Sequence, residues 1–123
     1  DVTLEMIKPY GFLLSDKRIK RIAMDYLNIA RIIEHESYEI FLKSKKNSRI
    51  ILMTTKAKKN YSNFKFNPND TILLGRESNG VPKTVHNNSY QRLKIPLKKN
   101  VRSLNVSMVA AITLSEAIKQ NSL

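Results

Sequence analysis

Residues 74–82 read LGRESNGVP, and this stretch decides the fold together with RLKIPL at 92–97 and RSLN at 102–105. The first is a glycine-containing turn after a short apolar segment, the second is itself strand-like, and the third opens a long helical pattern. In an open α/β sheet, ligands bind at the loops that follow the carboxyl ends of the strands. We therefore expect the loops at 74–82 and 102–105 to form the walls of a site for a small polar ligand.

Apolar periodicity on both sides of this stretch predicts strands that alternate with helices. The predicted strands are Val2–Ile7, Ile29–Ile33, Arg49–Thr54, Thr71–Leu74 and Leu93–Leu97. The predicted helices are Lys17–Ala23, one capped by Ser37, a short one from Pro82 to Val85, and Leu104–Gln120. The run Ile50–Met53 is typical of a strand covered on both faces, so it should lie near the middle of the sheet. This alternation predicts one α/β domain over residues 1–123, with a mostly parallel sheet.

Length and composition limit the class of protein. The 123 residues are enough for one domain with a core, and 41% apolar residues indicate a globular chain. The chain has no cysteine, which excludes disulfides and thiolate metal sites. No apolar run approaches the ~20 residues of a membrane span, and residues 1–6 do not resemble a signal peptide. We therefore expect a cytoplasmic protein with no membrane partner.

The formal net charge is +12, which indicates a polyanionic partner. Nucleic acid is the first candidate and an acidic membrane surface the second. The alternative is that abundant lysine and asparagine only reflect a biased genome composition. The long connection from Lys56 to Asp70 mixes lysines with aromatic residues and could stack on unpaired bases. We favour the simpler interpretation, in which Phe64 and Phe66 anchor this connection to the core and its lysines are solvated.

Gly75 directly follows an apolar strand, and because it lacks Cβ it lets a ligand approach the backbone closely. Gly80 is expected to take a left-handed turn before Pro82. Both glycines can equally be explained as turn residues. Glu77, placed between them, is a candidate for the site, although an exposed Glu is often only a cap or an ion-pair partner.

Ser103 and Asn105 stand where the last helix begins. Either can cap the helix, which is the commoner reason for these residue types at such a position. A helix start also offers free N–H donors and a positive dipole end that suit a carboxylate or phosphate. His35 and His86 have no carboxylate or cysteine at ligand spacing, so we expect two surface histidines and no metal site.

Taken together, GxExxGVP at 75–82, KIPL at 94–97 and RSLNVS at 102–107 resemble the second and third motifs of the SpoU branch (TrmH type) of the SPOUT RNA 2′-O-methyltransferases. IKPYGF at 7–12, SDKRIKR at 15–21, MDY at 24–26 and TTK at 54–56 resemble the subfamily that methylates the wobble nucleotide of tRNA. The resemblance implies a sheet with helices on both faces, a deep trefoil knot near the C-terminus, and a homodimer that packs through the knot.

The same resemblance implies S-adenosylmethionine as the cofactor, and it assigns residues to the site. The cofactor-binding positions would be Met53, Thr54, Gly75, Ile95, Leu97, Ser103 and Leu104. The active-site positions would be Glu77, Ser103 and Asn105, which orient the cofactor, the substrate and neighbouring side chains. The protein would align the ribose hydroxyl and assist the loss of its proton. The tRNA anticodon stem-loop would be held by the basic helix with Lys17, Arg18, Lys20 and Arg21. For that helix, the alternative is a solvated charged face.

One departure concerns the beginning of the chain. Family members start with a further strand, an Asn-Thr-Gly-Asn loop and a helix that carries an arginine. This chain starts at Asp1, so we expect that strand and helix to be missing from it. Two alternatives to a wobble methyltransferase therefore stay open. One is a non-catalytic, basic RNA-binding dimer that has lost the first motif, and the other is a 2′-O-methyltransferase acting on rRNA or on another tRNA position.

Overall fold

The computed structural model of the chain describes residues 2–8, 31–75, 81–101 and 104–121. The chain divides into two compact units, Asp1–Lys46 and Asn47–Leu123, and each is described by itself. The predicted helix Lys17–Ala23 lies outside the described residues. Within the ranges given above, none of the helices combines the length and the apolar character that a bilayer crossing requires.

The first unit contains two parallel strands, β1 (Thr3–Ile7) and β2 (Arg31–His35), followed by helix α1 (Tyr38–Ser44). The Ser37 hydroxyl accepts a 3.2 Å hydrogen bond from the N–H of Ile40, so the predicted cap is confirmed. The described part of β2 runs two residues past the predicted end at Ile33. Phe41 of α1 is 2% exposed and provides the buried contact of the helix.

The second unit contains a four-stranded parallel sheet. Its strands are β3 (Ile50–Met53), β4 (Lys59–Asn60), β5 (Thr71–Leu74) and β6 (Gln91–Lys94). Their order across the sheet is β4-β6-β3-β5, and every described strand pair is parallel. The predictions of a mostly parallel sheet and of an interior position for Ile50–Met53 are confirmed. The two-residue strand β4 was not predicted, because it is too short to show a periodicity.

Helices α2 (Lys83–Asn88) and α3 (Val106–Asn121) complete this unit, with a 3-10 turn at Tyr61–Asn63. The predicted short helix at Pro82 therefore continues three residues beyond Val85. Strand β6 ends at Lys94, three residues before the predicted end. Pro96 explains this difference, because proline has no N–H to donate to a neighbouring strand.

The core of the second unit lies against the middle of the sheet. Ile51, Met53 and Leu93 pack with Phe64 and Phe66, and two residues of α3 cover them, Val109 and Ala117. The rings of Phe64 and Phe66 meet edge to face with centroids 5.0 Å apart. Ile50 and Leu52, which point to the other face of β3, are also buried, so this strand is covered on both faces. The anchoring role predicted for the two phenylalanines is thus confirmed.

Candidate functional site

The carboxyl ends of β3, β5 and β6 lie at the same level of the sheet. Met53 stands opposite both Leu74 and Leu93, and the N–H of Thr54 donates to the Leu93 carbonyl oxygen at 2.9 Å. Adjacent strands are about 4.8 Å apart. Gly75 therefore lies beside Met53 and Thr54, and Ile95 follows Leu93 by two residues. The structure brings together four residues that the sequence assigned to one site: Met53, Thr54, Gly75 and Ile95.

Gly75 makes this edge accessible at the main chain. It follows β5 directly and is half-buried, next to the end of the central strand. Glycine has no Cβ, so a ligand could approach the main chain here more closely than at any other residue type. The edge therefore suits a small ligand that contacts backbone groups.

Thr54 fixes the turn that follows β3 through its hydroxyl and its main-chain carbonyl. The Thr54 hydroxyl accepts a hydrogen bond from the N–H of Lys56 at 3.2 Å, and the Thr54 carbonyl accepts one from Ala57, also at 3.2 Å. Ala57 is 8% exposed. The chain then enters β4, which pairs with Leu93 and Lys94 on the far side of β6. Residues 54–58 thus connect two strands that flank β6.

Asn105 begins the last helix. Its side-chain oxygen accepts a 2.8 Å hydrogen bond from the N–H of Ser107, and its carbonyl accepts the N–H of Val109 at 3.0 Å. This geometry is an N-cap, so the capping interpretation is confirmed for Asn105. Leu97 and Leu104, two further predicted site residues, are half-buried.

Several predicted site residues lie outside the described ranges. They are Glu77, Ser103 and the basic group Lys17, Arg18, Lys20 and Arg21. Their roles stay predictions.

The prediction of a surface histidine was wrong for His35. This residue is 8% exposed, and its Nε2 lies 2.8 Å from Glu5 Oε1. Glu5 Oε2 also lies 2.5 Å from the Lys45 ammonium. The pairing of β1 with β2 brings these residues together, and no local pattern could have shown it because Glu5 and His35 are 30 residues apart.

The environment of Glu5 changes its acidity. Burial by itself would raise the pKa of this carboxyl, but hydrogen bonds from Lys45 and His35 outweigh burial and bring the pKa below its ordinary value. In the part of the chain that the structure describes, no three histidines or carboxylates are grouped closely enough to hold a metal ion. His86 is half-buried, so it too differs from the predicted surface position.

The amino end of the four-stranded sheet is closed by side chains. Arg49 Nε and an η-nitrogen donate to the two oxygens of Asp70 at 2.7 and 2.6 Å. The guanidinium also lies 5.1 Å from the Phe64 ring centroid and 4.8 Å from that of Tyr90. The hydrogen bond to Asp70 raises the pKa of Arg49 above its ordinary value. No prediction from the sequence included this cluster, although a charged residue directly before each of two strands was a signal for it.

Comparison with known proteins agrees with the fold and with the family resemblance of the motifs. Residues 2–115 match the SpoU rRNA Methylase family. The chain therefore belongs to this family, and the resemblance seen in its motifs is confirmed.

Individual relatives indicate which methyltransferases the chain is similar to. The chain is 41% identical over 121 residues to the tRNA (cytidine(34)-2′-O)-methyltransferase of Beijerinckia indica subsp. indica, covering 97% of this chain and 76% of the relative. A solved structure that gives insights into the 2-OH methylation of C/U34 on tRNA is 31% identical, with a TM-score of 0.92, covering 98% of this chain and 79% of that one. The SpoU methyltransferase AviRb from Streptomyces viridochromogenes, in complex with the cofactor AdoMet, gives a TM-score of 0.86 at 17% identity. It covers 97% of this chain and 47% of its own, and the likeness concerns the fold alone.

Proposed function

We propose that this protein transfers a methyl group from S-adenosylmethionine to the ribose 2′-hydroxyl of a tRNA nucleotide, at the wobble position of the anticodon. The observation that carries the proposal is the meeting of three motif segments at one sheet edge. The register of β3, β5 and β6 places Thr54, Gly75 and Ile95 side by side in a member of the SpoU family. The Beijerinckia relative, aligned over nearly the whole chain, is a methyltransferase for cytidine 34 of tRNA.

The residues at this edge fit the cofactor. Gly75 leaves the main chain open beside Met53 and Thr54, and Ile95 offers an apolar side chain that packs on the core. Leu97, Ser103 and Leu104 would complete the pocket. S-adenosylmethionine, when bound, supplies a methyl group that its sulfonium already activates. The protein's contribution is to hold that group and to exclude water around it.

Asn105 would act on the substrate side, with Glu77 and Ser103. Its capping bond to Ser107 fixes the side chain at the helix start. The bond uses one lone pair of the amide oxygen, and the amide nitrogen can donate to a ribose oxygen. A fixed donor reduces the entropy lost when the substrate is aligned.

We also propose the trefoil knot that the family implies. Support comes from β6, which is hydrogen-bonded between β3 and β4 although only residues 54–58 join those two strands. The chain that leaves β6 towards α3 has to pass this short connection. If the chain is knotted, stretching it from both termini will leave a contour shorter than that of an unknotted chain of 123 residues.

Helix α3 supports the proposed homodimer. One of its faces covers the core, and another carries the exposed residues Met108 and Ala111 at i and i+3. Met108 is 53% exposed in the single chain. A second copy would bury this stripe. We expect the wild type to have the mass of a dimer by light scattering and Met108→Glu to have the mass of a monomer.

The catalytic proposal is tested at Asn105 with the protein expressed from its complete reading frame. Asn105→Ala removes the cap, which costs about 1 kcal/mol of stability, and we expect it to abolish methyl transfer to tRNA. Asn105→Asp keeps the capping oxygen and replaces only the amide nitrogen. It should unfold like the wild type and still lose transfer.

Two outcomes would contradict the proposal. If Asn105→Asp transfers methyl groups normally, Asn105 is a cap and nothing more. If the wild type labels a base atom, or does not label tRNA with labelled S-adenosylmethionine, the proposed activity is wrong. Mass spectrometry of the digested tRNA would identify the modified nucleotide and separate position 34 from other tRNA positions, and a parallel assay with rRNA would test that substrate.

The non-catalytic alternative makes a different prediction. A basic RNA-binding dimer should bind RNA in a salt-sensitive way and have no affinity for S-adenosylhomocysteine. Calorimetry with that ligand distinguishes the two, because micromolar binding contradicts the alternative. The cytoplasmic location and the tRNA contact through Lys17, Arg18, Lys20 and Arg21 stay predictions.

A further inference from the structure

The positive charge of the second unit is concentrated at the carboxyl end of its sheet. Among the described residues of this unit, Asp70 and Glu116 are the only acidic ones, and Asp70 is paired with Arg49 at the amino end. Lys59 begins β4, and its ammonium lies 6.0 Å from the centroid of the Phe64 ring, which also contacts Arg49. Six other lysines belong to the segments that leave or approach the carboxyl ends of the strands: Lys56, Lys58, Lys83, Lys94, Lys98 and Lys99. Lys83 is among them because α2 runs back between two parallel strands and so starts at that end.

Two of these lysines share one fixed turn, residues 54–58, which we call the lysine turn. Lys56 and Lys58 are exposed, whereas Ala57 between them is buried. Thr54 holds the main chain through the hydrogen bonds from Lys56 and Ala57 and through its own bond to Leu93. The backbone of the turn is therefore already ordered, so binding a ligand there avoids the entropy cost of ordering a loop.

We propose that the lysine turn binds the phosphate backbone of the tRNA anticodon stem-loop and so holds the RNA next to the methyl-transfer site. The identity of the RNA rests on the function proposed above. Lysine ammonium groups are compact charges that suit phosphates, and neutralising a phosphate releases counterions. The lysine turn starts at Thr54, a predicted cofactor residue, so one short segment would link RNA binding to the reacting edge. This contact is additional to the predicted basic helix at residues 17–21.

The test uses the protein from its complete reading frame and an anticodon stem-loop RNA. The variant Lys56→Glu/Lys58→Glu reverses two charges of the lysine turn. The matched control, Lys65→Glu/Lys119→Glu, reverses two exposed charges elsewhere in the same unit. Lys65 lies towards the amino end of the sheet, where its carbonyl accepts a hydrogen bond from Arg49, and Lys119 is in the last turn of α3. Both variants have the same net charge.

We expect the lysine-turn variant to bind the RNA at least about tenfold more weakly than the wild type at physiological salt. The slope of log K against log salt should decrease by about 0.7–0.9 for each lysine that contacts a phosphate. The control should change the RNA affinity much less, because charges farther than about 8 Å from the phosphates are screened. The affinity for S-adenosylhomocysteine, measured by calorimetry, should stay the same in both.

Equal weakening in the two variants would mean that only net charge matters, and this overturns the proposal, as does unchanged RNA binding. A loss of S-adenosylhomocysteine binding would show that the glutamates disturb the turn. In that case the variant Lys56→Gln/Lys58→Gln decides the question through its slope of log K against log salt alone. The proposed function fails separately. If the wild type binds RNA through the lysine turn but does not methylate it, only the proposed activity is refuted. If the wild type and both variants methylate tRNA equally well, only the role of the lysine turn is refuted.

Discussion

The two ends of the four-stranded sheet are built in different ways. At the amino end, Arg49 is held by both oxygens of Asp70 and lies against two aromatic rings. At the carboxyl end, β3 is followed by the turn that starts at Thr54 and β5 by Gly75, and among the described residues the nearby charges are lysines without an acidic residue. Charged and aromatic side chains thus pair with one another at the amino end, where they stabilise the sheet. At the carboxyl end, where a ligand is expected, main-chain groups and lysine side chains are available. All parallel strands end at the same edge, so one sheet can keep the two tasks apart.

The largest effect is expected when the ion pair between Arg49 and Asp70 at the amino end of the sheet is broken. Arg49→Met leaves the Asp70 carboxylate, whose side chain is 4% exposed, without its cation. Removing one partner of a buried ion pair costs about 3–5 kcal/mol, and because Arg49 is 26% exposed we expect a value near the lower limit. Urea unfolding measures it. The native fraction should keep its affinity for S-adenosylhomocysteine.

The double variant Arg49→Met/Asp70→Asn provides the control. Removing both charges should cost less than the sum of the two single changes, because no buried charge is left alone. Strict additivity would show that the pair does not close the amino end. A large loss of cofactor affinity would show that the two ends are not separate.

The second-largest effect is expected at the carboxyl end of the sheet. Gly75→Val adds a branched side chain beside Met53 and Thr54, and we expect it to weaken S-adenosylhomocysteine binding by roughly 2 kcal/mol, or about thirtyfold. Gly75→Ala should give a smaller loss in the same direction. Calorimetry measures both, with urea unfolding to establish that the variants are folded. Unchanged binding in Gly75→Val would remove this edge as the cofactor site.

A third change tests whether the long connection depends on α3. The Gln120 side chain accepts a hydrogen bond from the N–H of Phe66 at 2.8 Å and donates to the Phe64 carbonyl at 2.9 Å. Gln120→Ala leaves both main-chain groups unpaired and should lower the free energy of unfolding by about 1.5 kcal/mol. Lys119→Ala, at an exposed neighbouring position, should change it by less than about 0.5 kcal/mol. If the two variants are equally stable, the side-chain bonds of Gln120 do not secure the connection.

The smallest effect is expected in the first unit, which contains the side-chain cluster of Glu5, His35 and Lys45. Glu5 has a pKa below its ordinary value of 4.5, so its contribution to stability is complete above pH 4.5 and is lost as the pH falls through the folded-state pKa. We expect Glu5→Gln to lower the free energy of unfolding by about 1 kcal/mol at pH 7. The difference from the wild type should shrink as the pH is lowered below 4.5.

The exposed pair of Lys8 with Glu36 in the same unit is the reference for this measurement. Glu36→Gln should change stability little at any pH, because exposed ion pairs contribute little. A difference for Glu5→Gln that does not depend on pH would contradict the assigned hydrogen bonds to His35 and Lys45.

The positions of several candidate site residues in the fold were predictable because these residues follow strand ends. Ile50–Met53 has the uninterrupted apolar run of an interior strand, and the motif residues Thr54 and Gly75 come directly after apolar segments, so parallel pairing alone brings them together. The Ser37 and Asn105 caps were likewise predicted from local chemistry. What could not be predicted depends on pairing over distance. His35 was placed on the surface because its partner Glu5 lies 30 residues away, and β4 was missed because two residues carry no pattern.

The sequence by itself determined the α/β class, the central strand, the helix caps and the motifs that identify the family, because each depends on residues close together in the chain. Only the tertiary structure decided which charges are paired and which are available. Arg49 is joined to Asp70 at one end of the sheet, while Lys56 and Lys58 stay exposed on a turn that Thr54 holds in place. The physical reason is that an ion pair depends on distance in space, and strand register sets that distance for residues far apart in sequence.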